Sequence, residues 1–570
     1  MNAVVWPVPA PRSRWWWLAL GIAVLAISAC FNGIWNDFAY DDLFIVVSND
    51  VVHDLKRSWG LFFLPYWPLR LGGDGYRPLT LLAFAIQWAI SPRSPMLFHA
   101  VTIASYAFTA VAVFWLASLL LPTAYAWLAA AFFAVHPVHV EAVANIVGQG
   151  EVWTGLLLVS STAMYIQWRR AGAFGTRRKV LLMLMYLAAC LFKEHGVVLP
   201  LLLLLAEALV VRRTEPAPAR VRDLRPFFLG LLLVACFYVV FRNLVIHKEL
   251  AGFAPFIPFV SLHVGYGDRV LTMLGVVPEW IRLLLWPAAL TSEYGPPKYP
   301  IAHGFALWQF PGLLILVGVV GLALATMRRA PVVSFGIAWL IITLLPSSNF
   351  VLPSGILLAE RTLFTPSVGA ILALSAVLPA LAGQLTTPLS RIAALAAIES
   401  LLFAGVAKST IQTAVWRSND RLFRTTVHAS PAVYRSHYML GAWMMAKNEF
   451  PFGEREYLTA ISLFPHDPFV AYNLGHEYFN RGMYDRAYTM YARAESIMPK
   501  FEDAQGRMAL TRAMQGRYPE AATLATRAIR NGVGDLRILR SILTAASLDA
   551  RSRNRLVMRI GAQTPHVFAR

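Results

Sequence analysis

The chain has 570 residues, of which 57% are apolar and only 14% charged, with a mean hydropathy of +0.55. That balance excludes an ordinary soluble globular protein, because the apolar residues gather into runs of about 18 to 20, long enough to cross a hydrocarbon core as helices. The formal net charge of +19 does not point to nucleic acid, since the basic residues fall largely into short clusters at the ends of those runs, where they set orientation in a membrane.

The first run opens with Trp15-Trp16-Trp17 and reaches Gly33. It is longer than the apolar core of a signal peptide and lacks a small-residue exit, so it reads as a span with its tryptophans at the interface. Further spans are predicted at 98–121, 124–141, 152–168, 180–193, 197–211, 226–242, 308–326, 331–346, 366–383 and 391–408, about eleven in all. With these spans, every basic cluster faces the cytoplasm: Arg12 and Arg14, Arg169/Arg170 with Arg177/Arg178/Lys179, Arg212/Arg213 through Arg225, and Arg328/Arg329. The loop 34–77, which carries Asp37, Asp41, Asp42, Asp50, Asp54 and Asp74, then faces outward. Residues 271–290 are apolar, but a span there would put Arg328 and Arg329 outside. Pro278, Glu279, Arg282 and Pro287 also argue against a lipid-facing helix, so an interfacial or re-entrant position is expected. An odd number of crossings leaves the C-terminal tail outside the cytoplasm.

The tail has a period of 34 residues: Pro431, Pro465 and Pro499 are so spaced, as are Tyr457 with Tyr491 and Ala460, Ala494 and Ala528. This is the pattern of tetratricopeptide repeats, in which small residues let the two helices of a hairpin approach and a proline ends the second. The expected organisation is a membrane domain over 1–408, a linker with a degenerate repeat helix over 409–433, repeats over 434–535 and a helical cap over 536–570. The three cysteines, Cys30, Cys190 and Cys236, lie in apolar stretches without CxxC spacing, so neither a disulfide framework nor a zinc site is expected.

Several ionisable groups sit at the ends of spans, where they are costly unless paired or functional. They are Tyr40-Asp41-Asp42, Tyr76-Arg77-Pro78-Leu79, His136-Pro137-Val138-His139-Val140-Glu141, Lys193-Glu194-His195-Gly196 and Glu360-Arg361. All land on the outer side, which points to one convergent site. Sugar transfer from a lipid phosphate needs a carboxylate base for an acceptor hydroxyl and cations for the departing phosphate. Arg361 suits the phosphate first and Lys193 second, because a guanidinium can hold two oxygens at once. Each motif also has a plainer reading: a solvated acidic loop, histidines that cap a helix, internal Lys193–Glu194 and Glu360–Arg361 ion pairs. The histidine spacing is not that of a helical zinc site.

These motifs, in this order and followed by 34-residue repeats, resemble the transmembrane and tetratricopeptide-repeat family of protein O-mannosyltransferases. The resemblance also takes in Asn49-Asp50-Val51 and Pro366-Ser367-Val368-Gly369, and it covers nearly the whole chain. It implies an all-α, polytopic membrane body of GT-C type with interfacial helices, followed by a repeat solenoid. It further implies a polyprenyl-phosphate mannose donor, inversion at the sugar carbon and a Ser or Thr acceptor. The acidic motif falls on Asp41 and Asp42, with Asp42 expected as base and Asp41 assisting. Glu141 is placed with the catalytic carboxylates, and Arg361, Lys193, Glu194, His136, His139, Arg77, Glu360 and Tyr40 with donor binding. No metal ligands are assigned, and a divalent cation is left open. His195 stands where a glutamine is expected. Short loops and few repeats fit a bacterial inner-membrane member with a periplasmic site and tail, its partners being the lipid-linked donor, membrane lipids and a protein or peptide acceptor. Two rivals stay open: a lipid- or glycan-directed transferase resembling the aminoarabinose transferases, and a non-catalytic membrane scaffold.

Overall fold

The structure, a computed structural model, describes residues 12–68, 75–211, 217–246, 256–499, 501, 504–531 and 536–547. Asp74, Arg212, Arg213 and residues 548–570 of the expected cap lie outside the described residues. The chain forms two compact units, one of Met1–Ala254, Val270–Ser292 and Ala306–Leu422, the other of Pro255–Arg269, Glu293–Phe305 and Phe423–Arg570. Among the described residues the regular elements are helices.

In chain order they are α1 (Arg12–Cys30), α2 (Pro78–Ile90), α3 (Pro95–Ser118), α4 (Thr123–Val135), α5 (Val140–Ala144), α6 (Gln149–Arg170), α7 (Thr176–Phe192), α8 (Leu199–Leu209), α9 (Ala217–Ile246), α10 (Ile257–Ser261), α11 (Tyr266–Leu285), α12 (Phe310–Thr326), α13 (Pro331–Leu344), α14 (Phe364–Ser375), α15 (Leu378–Ala382) and α16 (Pro388–Val415). By length and composition, six helices among the described residues can cross a membrane: Arg14–Trp35, Pro95–Ser118, Asp223–Ile246, Leu307–Thr326, Glu360–Ala382 and Pro388–Val415. Thr123–Val135 with Pro137–Ala144, bent by 47°, would be a seventh. The sequence led us to expect about eleven. Helices do occupy the remaining predicted spans, but α7, α8 and α13 have 17, 11 and 14 residues, short of the ~20 that a lone span needs. Helix α6 is long enough but buries Gln149, Glu151, Thr154, Ser161 and Thr162, so it is polar where it packs.

The centre of the first unit is built on small side chains. Ala110, Ala117, Ala126, Ala129, Ala130 and Ala163 are all fully buried, and such residues let helix backbones come close where there is no water to drive association. Helices α9, α12 and α16 instead expose Leu232, Leu233, Leu314, Val317, Leu389 and Leu395, surfaces that only lipid satisfies. Helix α11, over most of the stretch expected to be interfacial, buries Met273, Val276, Val277, Trp280 and Leu283 along one face. Its Glu279 and Arg282 form a two-bond pair at 2.9 and 2.6 Å.

Helices α13 and α14 cross at their tightest where Gly336 meets Gly369. A Cβ on either would lie 2.4 or 2.3 Å from the other's carbonyl oxygen, a distance no side chain tolerates. Trp339 Nε1 fastens the crossing by donating to Thr365 O at 2.9 Å. The turn Glu360–Leu363 runs directly into α14, so this crossing sets where Glu360 and Arg361 sit.

In the second unit the chain forms α17 (Asn419–Ala429, entered from the first unit) and three helical hairpins: α18 (Tyr434–Ala446) with α19 (Phe450–Leu463), α20 (Pro468–Asn480) with α21 (Tyr484–Ile497), and α22 (Ala504–Met514) with α23 (Tyr518–Arg530), followed by α24 (Leu536–Ser547). The second helices start 34 residues apart, at Phe450, Tyr484 and Tyr518, and Tyr457, Tyr491, Ala460, Ala494 and Ala528 are buried between them. Asp467 caps α20 by accepting from Phe469 N at 2.9 Å and also receives the Tyr434 hydroxyl at 2.7 Å. Two segments that the sequence assigned to the membrane domain belong to this unit. Tyr434 N donates to Pro296 O at 3.2 Å, and Arg435 pairs with Glu293 at 2.9 Å.

Replacing Gly369 with leucine is expected to remove folded protein, since overpacking of about 1–3 kcal/mol would here fall on backbone that cannot move aside. Size-exclusion chromatography of the detergent-solubilised variant would show aggregate in place of a single peak, whereas Gly318→Leu, at a position with open space around it, should elute as wild type.

Candidate functional site

The first loop leaves α1 through a short turn and is strapped to the end of α16. Asn32 Nδ2 donates to Thr410 O at 2.9 Å, Asn36 Nδ2 to Thr413 O at 3.0 Å and Asp37 N to Arg417 O at 3.0 Å. Tyr40 then adopts a left-handed backbone, φ 58°, unusual for an aromatic residue. Its amide is taken by Asn419 Oδ1 at 2.7 Å.

The two adjacent aspartates have different surroundings. Asp42 is fully buried, and its carboxylate accepts from Val147 N at 2.9 Å, Ala39 N at 3.1 Å and Ile146 N at 3.4 Å. Burial pushes its carboxyl up to about 7, against the pull of those three amides. Asp41 is partly exposed, and its charge acts on both Asp42 and Arg361. Asp42, expected as the base, is thus fastened to three backbone amides, and Asp41 is the more exposed of the two carboxylates.

The segment that Asp42 grips carries the next carboxylates. Glu141, on α5, is buried and accepts from both Arg361 N, at 2.8 Å, and the Arg361 guanidinium. Breaking such a buried pair costs about 3–5 kcal/mol, so Glu141 holds Arg361 firmly in place. Glu360, equally buried, accepts from Thr291 N at 2.6 Å. The two histidines have different surroundings. His136 Nδ1 accepts from Val138 N at 3.3 Å and Nε2 meets Leu284 O at 3.0 Å. His139 lies between the Tyr106 hydroxyl at 3.0 Å and the Ser367 hydroxyl at 2.8 Å.

A second cationic group stands at the 193–195 turn. Its tightness comes from Gly196, where a Cβ would lie 2.4 Å from the Ala189 carbonyl carbon. Lys193 pairs with Glu151 in the first turn of α6, and His195 Nδ1 lies 3.4 Å from the same carboxylate. Glu194 instead pairs with Arg77 at 2.9 Å and accepts from Tyr76 N at 3.1 Å. The Arg77 guanidinium lies 4.6 Å over the Tyr66 ring. Burial drags the Lys193 ammonium down and the positive charges of Arg77 and Arg361 add to it, so that even beside Glu151 it falls to about 8. Burial works to raise Glu194, but Arg77 and the amides overcome it and hold that carboxyl at about 2.

The two groups lie within electrostatic reach of each other: Asp41 and Glu151 act on Arg361, and Arg77 and Arg361 act on Lys193. Sequence reasoning missed Glu151, although an acid one turn into an apolar helix is itself a signal. It also missed Asn145, buried beside the Asp42 ties, whose amide atoms have no hydrogen-bond partner among the described residues. Groups of three or more His, Cys, Asp and Glu arranged to hold a metal are absent among the described residues. Beginning at His136, an apolar cavity of ≈ 410 Å³ runs between Phe132, Val135, Leu284, Ile371, Leu374 and Leu401.

No protein-family model matches the chain. Homologues are found among animal proteins named protein O-mannosyl-transferases. The chain is 24% identical over 510 residues to mouse TMTC3, covering 84% of this chain and 55% of that protein. It is 26% identical over 476 residues to human TMTC4, covering 75% and 63%, and 24% identical to human TMTC1, covering 80% and 56%. The chain thus spans little more than half the length of these relatives. A search of solved structures finds the Archaeoglobus fulgidus oligosaccharyltransferase in complex with zinc and sulfate, at a TM-score of 0.38 and 15% identity, covering 69% of this chain and 53% of that one.

Two stability measurements follow from this geometry. Asp42→Asn turns an acceptor into an NH2 that faces backbone amides, an expected loss of about 1–3 kcal/mol visible as a lower melting temperature in detergent. Glu194, held at about 2, contributes stability that is complete above its ordinary value of 4.5 and is lost as pH falls towards 2. The melting temperature should drop below about pH 4.5, and the drop should be shallower in Glu194→Gln.

Proposed function

We propose that this chain is an integral membrane glycosyltransferase that moves a sugar, mannose by the resemblance, from a polyprenyl-phosphate carrier to Ser or Thr hydroxyls of extracytoplasmic proteins. The observation that carries the reading is the meeting of an accessible carboxylate, Asp41, with the carboxylate-anchored guanidinium of Arg361 in one electrostatic neighbourhood. The homologues' names support the same class of chemistry.

In this mechanism Asp41 accepts the proton of the acceptor hydroxyl as its oxygen attacks the anomeric carbon from the face opposite the phosphate. The bond from that carbon to the phosphate oxygen breaks, the configuration inverts, and polyprenyl phosphate departs with the electron pair. Arg361 and Lys193 stabilise the growing charge on the phosphate. Each is already held by a carboxylate, Glu141 and Glu151, so neither needs to reorganise when that charge appears. The cavity beginning at His136 suits the first isoprene units of the carrier, since it is large enough for a branched chain and its lining is apolar apart from His136, Ser375 and Lys408. The basic clusters support an outer-face position for the site and the repeat tail, the short loops and few repeats support a bacterial inner membrane, and in this reading the repeats present acceptor segments.

Asp41→Asn should lower transfer by about 10²–10⁴-fold at unchanged expression; retained transfer would sink the assignment of the base. Because Lys193 is charged only below about 8, transfer should fall as pH rises through that value, and Lys193→Arg should move this limb upward. Mass spectrometry of envelope proteins from a strain lacking the gene separates the acceptors: loss of hexose from Ser and Thr supports a protein acceptor, an altered lipid or polysaccharide a lipid- or glycan-directed one.

A further inference from the structure

The α6–α7 hairpin has two charged ends, and only one belongs to the site described above. Helix α6 starts beside Glu151 and runs 22 residues, about 33 Å at 1.5 Å per residue, to Arg169 and Arg170. Helix α7 starts at Thr176 and returns to Lys193. The far end encloses a cavity of ≈ 660 Å³ lined by Arg169, Phe174, Thr176, Arg177, Arg178 and Asp223.

This end is built rather than merely basic. Arg169 is bound by Glu207 through Nε and Nη2 at 3.2 and 3.1 Å and lies 3.5 Å from Asp223, which also takes Lys179 at 3.2 Å. Arg170 donates to the carbonyls of Leu119 at 2.6 Å and Val210 at 2.8 Å, which ties the ends of α3 and α8 to the same corner. Phe174 is buried against Phe227 and Tyr165, at 5.1 and 5.2 Å between ring centroids, and gives the cations a floor. Arg169 and Lys179 lie over its ring at 5.8 and 5.4 Å. Arg178 is turned by a bond to Ala173 O and lies 5.2 Å over Trp168, while Arg177 is exposed at the rim. Around the cavity, among the described residues, Arg169, Arg177, Arg178 and Lys179 stand against Glu207 and Asp223, so a positive excess remains.

We propose that this cavity binds the phosphate headgroup of an anionic phospholipid on the membrane face opposite the Asp41–Arg361 site. Lipid is favoured over a soluble phosphate compound by the surface that adjoins the cavity. Along α7, Val180, Leu181 and Leu184 are exposed, and along α9 so are Leu229, Leu232 and Leu233. A headgroup among the arginines would leave its acyl chains along that stripe. A soluble anion would gain nothing from it. Basic pockets at helix ends recognise lipid headgroups in this way, each cation near the surface contributing about 1 kcal/mol. The bound lipid would brace the α6–α7–α9 corner whatever chemistry the opposite end performs.

The test uses the full chain in detergent, with cardiolipin or phosphatidylcholine added and retained lipid read by native mass spectrometry. Cardiolipin should be retained and should raise the melting temperature, and phosphatidylcholine should do neither. Arg177→Ala/Arg178→Ala should weaken cardiolipin retention about thirty-fold, and the exposed single change Arg177→Ala about five-fold, with melting in phosphatidylcholine unchanged for the single variant. Arg328→Ala/Arg329→Ala, which removes the same charge from another basic loop, should retain cardiolipin as wild type does. Equal loss in the two double variants would overturn the proposal, because the effect would then be general surface charge. So would an equal rise in melting temperature with inorganic phosphate alone, because the apolar stripe would then have no part.

Discussion

The arrangement of the charged groups depends on a carboxylate that is given up to the backbone. Asp42 has no access to solvent, and an isolated charge there would be prohibitively costly. The three amides it receives, from Ala39, Ile146 and Val147, offset that cost and, in doing so, close the first loop onto the 145–148 turn. That turn lies between α5, which presents Glu141, and α6, which begins with the turn holding Glu151. One buried side chain therefore fixes the loop of Asp41 and the backbone that carries the anchors of Arg361 and Lys193.

The three principal cations each have a carboxylate of their own: Arg77 with Glu194, Lys193 with Glu151, Arg361 with Glu141. Pairs this deeply buried are poor sources of stability compared with apolar packing, because the cost of dehydration consumes most of the attraction. Their value lies in placement. A guanidinium whose residue bonds through both its backbone amide and its side chain to one glutamate is held in a single orientation. The neutral sum of each pair also suits a low-dielectric setting, where an array of bare cations would repel itself.

How much of this could be read from the sequence differs from residue to residue. The charged motifs were legible because ionisable side chains at span ends stand out against an apolar background, and the helical hairpins of the second unit because their helices return every 34 residues. Which of Asp41 and Asp42 stays accessible was not legible: neighbours in sequence have the same chemistry, and only the fold decides which one meets the amides of Ile146 and Val147, more than a hundred positions away. The same holds for Glu360, which receives the Thr291 amide from 69 positions away, and for the segments 255–269 and 293–305, assigned to the second unit by contacts such as Glu293 with Arg435. Helix α13, which leaves no residue exposed, is apolar where it packs within the protein, and a hydropathy pattern cannot separate that environment from lipid.

Tyr40 links the strain in the first loop to the chemistry beside it. A left-handed backbone at an aromatic residue costs on the order of 1–3 kcal/mol and persists only where its neighbours over-determine it. Here Asn419 takes the Tyr40 amide, and the Tyr40 ring meets Trp416 edge-on at 6.2 Å. Two residues further on, Asp42 is locked by its amides, so the chain is pinned on both sides of Asp41. A relaxed, extended Tyr40 would send the chain onward along a different path from the one that Asp42 requires. The left-handed turn is thus what allows one of two consecutive carboxylates to be buried and the other to remain open to solvent, and the energy it stores is what that separation of roles costs the fold.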